Sequence, residues 1–154
     1  MDTEDIPKLL EYNLKVHVSW KPKINGYYAE VCQYLGMENG KGTYKILGLH
    51  NIVMNEFENL VDHISFNTLD DRKSNLRVCE YVDNNKHRKT KNSNNTSGYR
   101  NVSWNKYANC WMVQLQIDGK NTRLKDFPEN QLDEAGVYAE KMRNEIYGKF
   151  AGGN

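Results

Sequence analysis

Apolar and polar residues alternate in three short segments of the first sixty positions, and a period of two is typical of β-strands. Turn signals separate the segments at Pro22, Asn25-Gly26 and Asn39-Gly40. We therefore predict a small antiparallel sheet, followed by a short helix at 50–54. The three alternating segments are 14–18, 28–34 and 44–49.

The next part of the chain, residues 61–88, predicts a compact strand–loop–strand–helix unit. Residues 61–64 are predicted to form the end of a strand, and the polar residues 65–74 are predicted to form a loop. A second short strand is predicted at 76–79, and a helix follows at 80–88. Together with the preceding sheet, this unit predicts a first domain that ends at residue 88.

The last third of the chain predicts a second module. Residues 89–97 contain no large apolar side chain, so they cannot bury enough surface to order themselves, and we predict a basic linker. The second domain then covers 98–154. A strand at 99–104 precedes an alternating strand at 111–117, and Asp118-Gly119 is a hairpin signal into a third strand.

The final predicted element is a helix that Asn130 caps and that packs on this three-stranded sheet. The predicted fold class is therefore α+β. A strand–loop–strand–helix unit follows one small antiparallel sheet and precedes a three-stranded antiparallel sheet with one packed helix. The apolar face of the final helix consists of Ala135, Tyr138, Ala139, Met142 and Ile146.

The distribution of charge is more informative than its sum. The 154-residue chain has a formal net charge of only +1, but positions 86–125 hold nine Lys or Arg residues against one Asp. A local basic stretch favours one anion-binding face, with a merely solvated surface as the alternative. No apolar run reaches membrane-spanning length, and three well-separated cysteines favour neither a disulfide framework nor a structural zinc site.

Two adjacent residues carry the most specific chemistry. Asp62 offers a carboxylate oxygen that suits Mg²⁺ or Mn²⁺, and His63 offers an imidazole, the side chain best suited to exchange protons near neutral pH. Asn75 follows His63 by twelve positions, and Asn84 follows by nine more. The set fits one-metal hydrolysis of a phosphodiester, with Asn84 as a second oxygen ligand and Asn75 orienting His63. Because neighbours in a strand point to opposite faces, Asp62 and His63 can share a site only at a strand end or a bulge.

Each of these residues also has a plainer explanation. A lone His is more often structural, an Asn is often a turn residue, and an Asp-Asn pair often caps a helix. Their joint spacing favours the catalytic explanation. Arg72 and Arg77 either bind phosphate oxygens or pair with Asp70 and Asp71.

Four segments together resemble the Asn-ending motif of HNH homing endonucleases: Asp62-His63, Asp70-Asp71-Arg72, Asn75-Leu76-Arg77 and Asp83-Asn84. The resemblance covers about residues 44–88. It implies a ββα-metal fold with its core at about 61–88. It also implies that His63 is the general base, that Asn75 positions it, and that Asp62 and Asn84 bind one Mg²⁺ or Mn²⁺.

Two positions depart from the common pattern of that family. Asp71 stands where Asn is common, and Asn51 stands where Arg follows the upstream His. Neither belongs to the four central residues. For the remaining histidines we expect His50 to be structural, His87 to contact phosphate at most, and His17 to lie on a strand surface.

Residues 98–150 resemble the APETALA/ethylene-response-factor DNA-binding domain. The similar segments are 97–104, 111–115, 126–127, 134–135 and 138–139. The resemblance implies a sheet that lies in the major groove with a helix behind it. The predicted base contacts are Arg100, Ser103, Gln114, Gln116, Asn121 and Arg123. The other predicted DNA contacts are Arg72, Arg77, Lys86, His87, Arg88, Lys89 and Lys91.

The sequence therefore predicts a metal-dependent homing endonuclease from a phage or mobile element, acting in the cytoplasm of an infected bacterial cell. A single active site per chain favours a monomer that nicks one strand of double-stranded DNA at a recognised site. No membrane partner is expected. Two alternatives remain: a non-catalytic, sequence-specific DNA-binding regulator, and a restriction or packaging-associated HNH nuclease.

Overall fold

The computed structural model of the protein describes residues 1–11, 14–88 and 90–153. The chain divides into two compact units, Met1–Tyr81 and Val82–Asn154, which we call the first and second unit. The described residues form three small antiparallel sheets and a few helices, which confirms the α+β class in its general form. None of the described helices has the length and apolarity that a membrane span requires.

The first unit is built on the three-stranded antiparallel sheet that the alternating segments predicted. Its strands are β1 (Val16–Lys21), β2 (Gly26–Glu38) and β3 (Lys41–Gly48), with β2 in the centre. Asn25 and Asn39 have φ angles of 55° and 51° in the two turns, a left-handed conformation that Asn tolerates better than most residues. Both predicted Asn-Gly turns are therefore confirmed.

Two short helices and a β-ribbon complete the first unit. The helices are α1 (Ile6–Glu11) and α2 (Leu49–Met54), and the ribbon pairs β4 (Leu60–His63) with β5 (Leu76–Cys79) in antiparallel register. The helix α1 was not predicted, because six residues are too few to display a helical period. The predicted helix at 50–54 and the predicted strand at 76–79 are both confirmed.

The core of the first unit lies where the central strand β2 meets α2 and the ribbon. Val31 of β2, Val53 of α2 and Leu76 of β5 are all buried and belong to one apolar cluster. This packing fixes the ribbon on the sheet. A buried polar contact adjoins it: burial alone would raise the pKa of Glu30, but hydrogen bonds from Lys21 and Ser19 bring it below its ordinary value.

The second unit consists of a three-stranded antiparallel sheet covered by a long helix. Its elements are α3 (Tyr81–Lys86), β6 (Val102–Asn105), β7 (Cys110–Ile117), β8 (Lys120–Pro128) and α4 (Leu132–Tyr147). Val113 and Leu115 of the central strand are buried, whereas Gln116 is exposed, as the alternation predicted. At the hairpin, Asp118 and Gly119 have φ angles of 50° and 76°.

Two details of α4 differ from the prediction. The N-cap residue is Gln131 rather than Asn130. Ile146 is 37% exposed, whereas Arg143 is only 1% exposed. Arg143 can be buried because its guanidinium donates a hydrogen bond to the carbonyl of Arg100 at 3.2 Å while its aliphatic stem packs inside. A pattern of apolar residues cannot predict a buried arginine.

The predicted linker also needs correction. The described residues 90–97 lie within the second unit, and polar side chains hold their end in place. Asn95 Nδ2 donates to the carbonyl of Tyr99 at 2.8 Å, and Ser97 Oγ donates to the carbonyl of Val102 at 2.8 Å. The prediction rested on the lack of apolar side chains, but hydrogen bonds from side chains to the backbone hold residues 95–97 in place.

The three cysteines are free thiols in different environments. Cys32 on β2 is exposed, Cys79 on β5 is buried, and Cys110 on β7 is half-buried.

Candidate active site

His63 is the last residue of β4, and a carboxylate that the sequence analysis did not select holds its imidazole. His63 Nε2 lies 2.8 Å from Asp71 Oδ1, and only 4% and 1% of the two side chains are exposed. Because an ionised carboxylate only accepts hydrogen bonds, Nε2 carries the proton and Nδ1 carries the lone pair. The buried pair therefore favours the tautomer in which Nδ1 can accept a proton.

Asn75 closes the loop between β4 and β5. Its Oδ1 accepts a hydrogen bond from the Ser65 amide at 2.9 Å, and its Nδ2 donates to the carbonyl of Asp70 at 2.8 Å. The sequence predicted that Asn75 orients His63. The observed hydrogen bonds of the Asn75 side chain are with the loop backbone, so it holds both ends of the segment that brings Asp71 to His63.

Asp62 pairs with Arg77, its direct neighbour across the ribbon. Arg77 donates from Nε and Nη2 to Asp62 Oδ2 at 2.9 and 2.6 Å, with about a tenth of each side chain exposed. Arg72, in contrast, is exposed and donates from Nε to Asp70 Oδ1 at 2.7 Å, which lowers the pKa of Asp70 to about 2. Of the two predicted alternatives for these arginines, the structure contains the ion pairs, with Asp62 rather than Asp71 as the partner of Arg77.

Tyr28 on β2 packs against two of the histidine rings of the site. Its ring meets the rings of His63 and His50 edge-on, at centroid distances of 5.8 and 5.9 Å. Burial raises the pKa of the Tyr28 phenol, and the nearby charges of Asp62 and Asp71 raise it further. The Tyr28 ring thus borders the site that contains the His63–Asp71 pair. Sequence reasoning missed Tyr28, because no motif spacing links it to His63.

His50, in the first turn of α2, completes the cluster. Its Nδ1 lies 3.9 Å from Asp71 Oδ1, and its ring centroid lies 5.2 Å from that of His63. Burial lowers the pKa of His50, and the neighbouring His63 lowers it further. Gly48 makes room for this ring, since a Cβ at that position would lie 2.5 Å from His50 Cε1. The sequence analysis expected a structural His50, and it did not anticipate that the ring would lie beside His63.

In the second unit, Arg100 does not lie on the exposed face where the sequence placed it. Only 5% of the residue is exposed. Its guanidinium donates to the carbonyls of Lys86, Arg88 and Gly153. Arg100 precedes β6 and so does not lie on the strand face that the sequence predicted, but it does line a cavity of the second unit, and its role as a base contact stays a prediction.

Three other predicted base contacts do come together. Ser103, Gln114 and Asn121 lie on β6, β7 and β8, and they line one cavity of about 290 Å³ in the second unit. Arg88 and Lys91 line the same cavity, and its described walls contain no carboxylate. Arg100 lines this cavity too, so the structure places amide and hydroxyl groups beside three cations.

The remaining two predicted base contacts do not line this cavity. The Gln116 side chain donates to the carbonyl of Gly119 at 3.4 Å. The Arg123 guanidinium pairs with Asp126, with an Nε–Oδ1 distance of 2.7 Å. Both residues are exposed, so each retains a surface position on the sheet.

Comparison with known proteins gives the chain its family. It is 34% identical to protein 3.8 of Escherichia phage T7 over 91 residues, which cover 59% of this chain and 72% of the phage protein. The chain belongs to the family of phage T7 protein 3.8. This relationship supports the expected phage origin. No family profile matches the chain, and no solved structure shows a significant match to it.

Four further predicted site residues of the chain are Asn84, Lys86, His87 and Lys89. Asn84 is half-buried on α3, Lys86 pairs with Asp83 at 2.7 Å, and His87 is buried. Lys89 lies outside the described residues. Asp62 and Asn84 belong to different units, and their joint role as metal ligands stays a prediction.

Proposed function

We propose that the protein is a metal-dependent DNA endonuclease of the HNH type, with His63 as the base that activates water. The observation that supports this most is the buried His63–Asp71 pair, which lies at a strand end directly after Asp62. An imidazole held through one nitrogen by a carboxylate is a preorganised base at the other nitrogen. A regulator that only binds DNA has no need of such a pair beside a second carboxylate.

Each polar residue of the ribbon then has a definite task. His63 Nδ1 accepts the proton of the attacking water. Asp71 is a positioning residue that fixes the tautomer of His63 and stabilises the imidazolium after proton transfer. Asn75 holds the loop that carries Asp71, and Arg77 orients the carboxylate of Asp62.

The donor chemistry fits the predicted metal. Asp62 and Asn84 offer the carboxylate and amide oxygens that Mg²⁺ or Mn²⁺ prefers. When bound, such an ion supplies positive charge that stabilises the phosphate and the leaving oxygen. We propose that Asp62 is one of its ligands, and the assignment of Asn84 as the other stays a prediction of the HNH resemblance.

The second unit supports DNA as the substrate. Its cavity combines the cations of Arg88 and Lys91 with the hydrogen-bonding groups of Ser103, Gln114 and Asn121. Cations bind phosphates, whereas amides and hydroxyls bind base edges. We propose that the chain binds double-stranded DNA as a monomer and nicks one strand in the cytoplasm of an infected cell.

Nicking of supercoiled plasmid in the presence of Mg²⁺ tests the proposal. We expect His63→Ala to lower the rate by about 100- to 10,000-fold, the usual contribution of a general base. His17→Ala is the matched control, because His17 is exposed on β1 and outside the site. Undiminished nicking by a folded His63→Ala variant would exclude this active site. An inactive wild type that still binds DNA would favour the regulator.

The positioning role of Asp71 has its own test. Asp71→Asn keeps the shape of the side chain but removes its charge. We expect kcat to fall by about 10- to 100-fold, while KM for DNA changes little. A merely structural role would instead lower the fraction of active protein and the melting temperature together, which active-site titration and calorimetry would detect.

A further inference from the structure

Three side chains of the first unit converge on one point, and each offers an atom that can bind a metal ion. His50, His63 and Asp71 contribute one ligand atom each, and these atoms all lie within 4.8 Å of one another. They come from three different elements: the start of α2, the end of β4, and the loop that follows. The fold therefore builds this cluster, which local sequence alone would not produce.

Two atoms of the cluster are unsatisfied. His50 Nδ1 and Asp71 Oδ2 are buried, and neither forms a hydrogen bond with any described residue. Buried polar atoms in folded proteins nearly always have a partner, so an exception indicates an additional ligand. Gly48 and the Tyr28 ring keep the His50 ring in place beside the other two groups.

We propose that His50, His63 and Asp71 form a binding site for a transition-metal ion, with Zn²⁺ as the preferred ligand. Two imidazoles and one carboxylate suit Zn²⁺, whereas Mg²⁺ prefers oxygen ligands alone. Zinc ligands lie about 2.0–2.2 Å from the ion, so closing the site requires side-chain movements on the order of 1 Å. Three protein ligands leave a fourth position for water, as in open zinc sites.

Occupation of this site changes the chemistry of His63. Without the ion, Nε2 carries the proton that faces Asp71, and Nδ1 carries the lone pair. An ion that binds the Nε2 lone pair requires the ring proton to move to Nδ1, so Nδ1 can no longer accept a proton from water. Zn²⁺ therefore inhibits the nuclease, a consequence that rests on the proposed function.

Direct binding tests the site without any activity measurement. We expect calorimetry on the full chain to give one Zn²⁺ per chain, and Co²⁺ to give the visible absorption of a site with nitrogen ligands. His50→Ala and Asp71→Asn should each weaken Zn²⁺ binding by about tenfold or more, and His17→Ala should leave it unchanged. Circular dichroism checks that each variant is folded, and Asp71→Asn alone decides the matter if His50→Ala does not fold. Absence of micromolar Zn²⁺ binding in the wild type, or binding that neither substitution weakens, would overturn the proposal.

The inhibition experiment separates this proposal from the nuclease. Nicking in Mg²⁺ is measured with increasing Zn²⁺, each protein relative to its own zinc-free rate. We expect the wild type to lose activity at about one Zn²⁺ per chain and His50→Ala to resist. If Zn²⁺ binds and both His50→Ala and Asp71→Asn weaken the binding, but no plasmid is nicked, the zinc site is supported and the proposed nuclease activity is refuted. If plasmid is nicked and Zn²⁺ does not bind, the reverse holds.

Discussion

Replacing Arg100 with Ala removes a buried cation that connects two separate segments of the second unit. The guanidinium donates to the carbonyl of Lys86 at 3.1 Å, to that of Arg88, and to that of Gly153 at 2.5 Å. Burial lowers the pKa of Arg100 to about 10, and the charge of Arg143 contributes, so the side chain is still charged at pH 7. These contacts tie residues 86–88 to the end of the chain.

The size of the effect follows from these hydrogen bonds. A buried carbonyl that loses its donor costs about 1–3 kcal/mol. Because the variant no longer has to desolvate a cation, the net loss is about 3 kcal/mol rather than the full sum over the three carbonyls. The melting temperature of a unit of this size falls by about 4–8 °C per kcal/mol, so the expected fall for the second unit is roughly 12–24 °C.

Calorimetry and hydrogen exchange on the full chain measure this prediction. Amides in segments 86–96 and 148–153 should exchange faster in Arg100→Ala, because both segments lose their common anchor. Arg123→Ala is the matched control. Arg123 is exposed, pairs with Asp126 three residues away and donates to Cys110 Sγ at 4.0 Å, so the melting temperature of this variant should match that of the wild type. A variant Arg100→Ala that melts like the wild type but loses its DNA sequence preference would refute the structural role and restore the base contact.

Three further predictions concern other parts of the molecule. Gly136→Ala should destabilise the second unit by about 1–3 kcal/mol in urea titrations, because the new Cβ would lie 2.4 Å from Tyr99 Cδ1, and this clash outweighs the gain in helix propensity. The pKa of Glu30 is lowered in the folded protein, so Glu30 stabilises the fold at pH values above its ordinary pKa of 4.5. This stabilisation is lost as the pH falls through the lowered pKa, and acid unfolding curves of Glu30→Gln should show less of this loss. Lys91→Ala should reduce the salt dependence of DNA binding by about one counterion in fluorescence anisotropy, and an unchanged slope would remove Lys91 from the interface.

The sequence predicted those parts of the fold that local signals determine. Alternating residues located the strands of the first sheet and the central strand of the second, and the pairs Asn25-Gly26, Asn39-Gly40 and Asp118-Gly119 located turns. The strand predicted at 99–104 begins only at Val102. Local sequence signals did not predict the structure where contacts between distant residues determine it. The segment 89–97 has the composition of a linker, but side chains at its end, Asn95 and Ser97, donate hydrogen bonds to the backbone of Tyr99 and Val102.

The candidate site shows the same limit. His63 and Asp62 were selected because they are adjacent and stand at a recognisable spacing from Asn75. Asp71 and His50 belong to a loop and to a separate helix. The HNH resemblance includes both positions, but it did not predict that either side chain would contact His63. Only the packing of β2, α2 and the ribbon brings them together.

The three thiols differ in their exposure to solvent, so one of them can be labelled selectively with a spectroscopic probe. A maleimide dye added in limiting amount will react first with Cys32, on the open surface of β2, because Cys79 is shielded and Cys110 is half-covered. The unmutated chain can thereby carry a fluorophore on its first unit, and rotational or energy-transfer measurements can follow that unit as it meets other molecules.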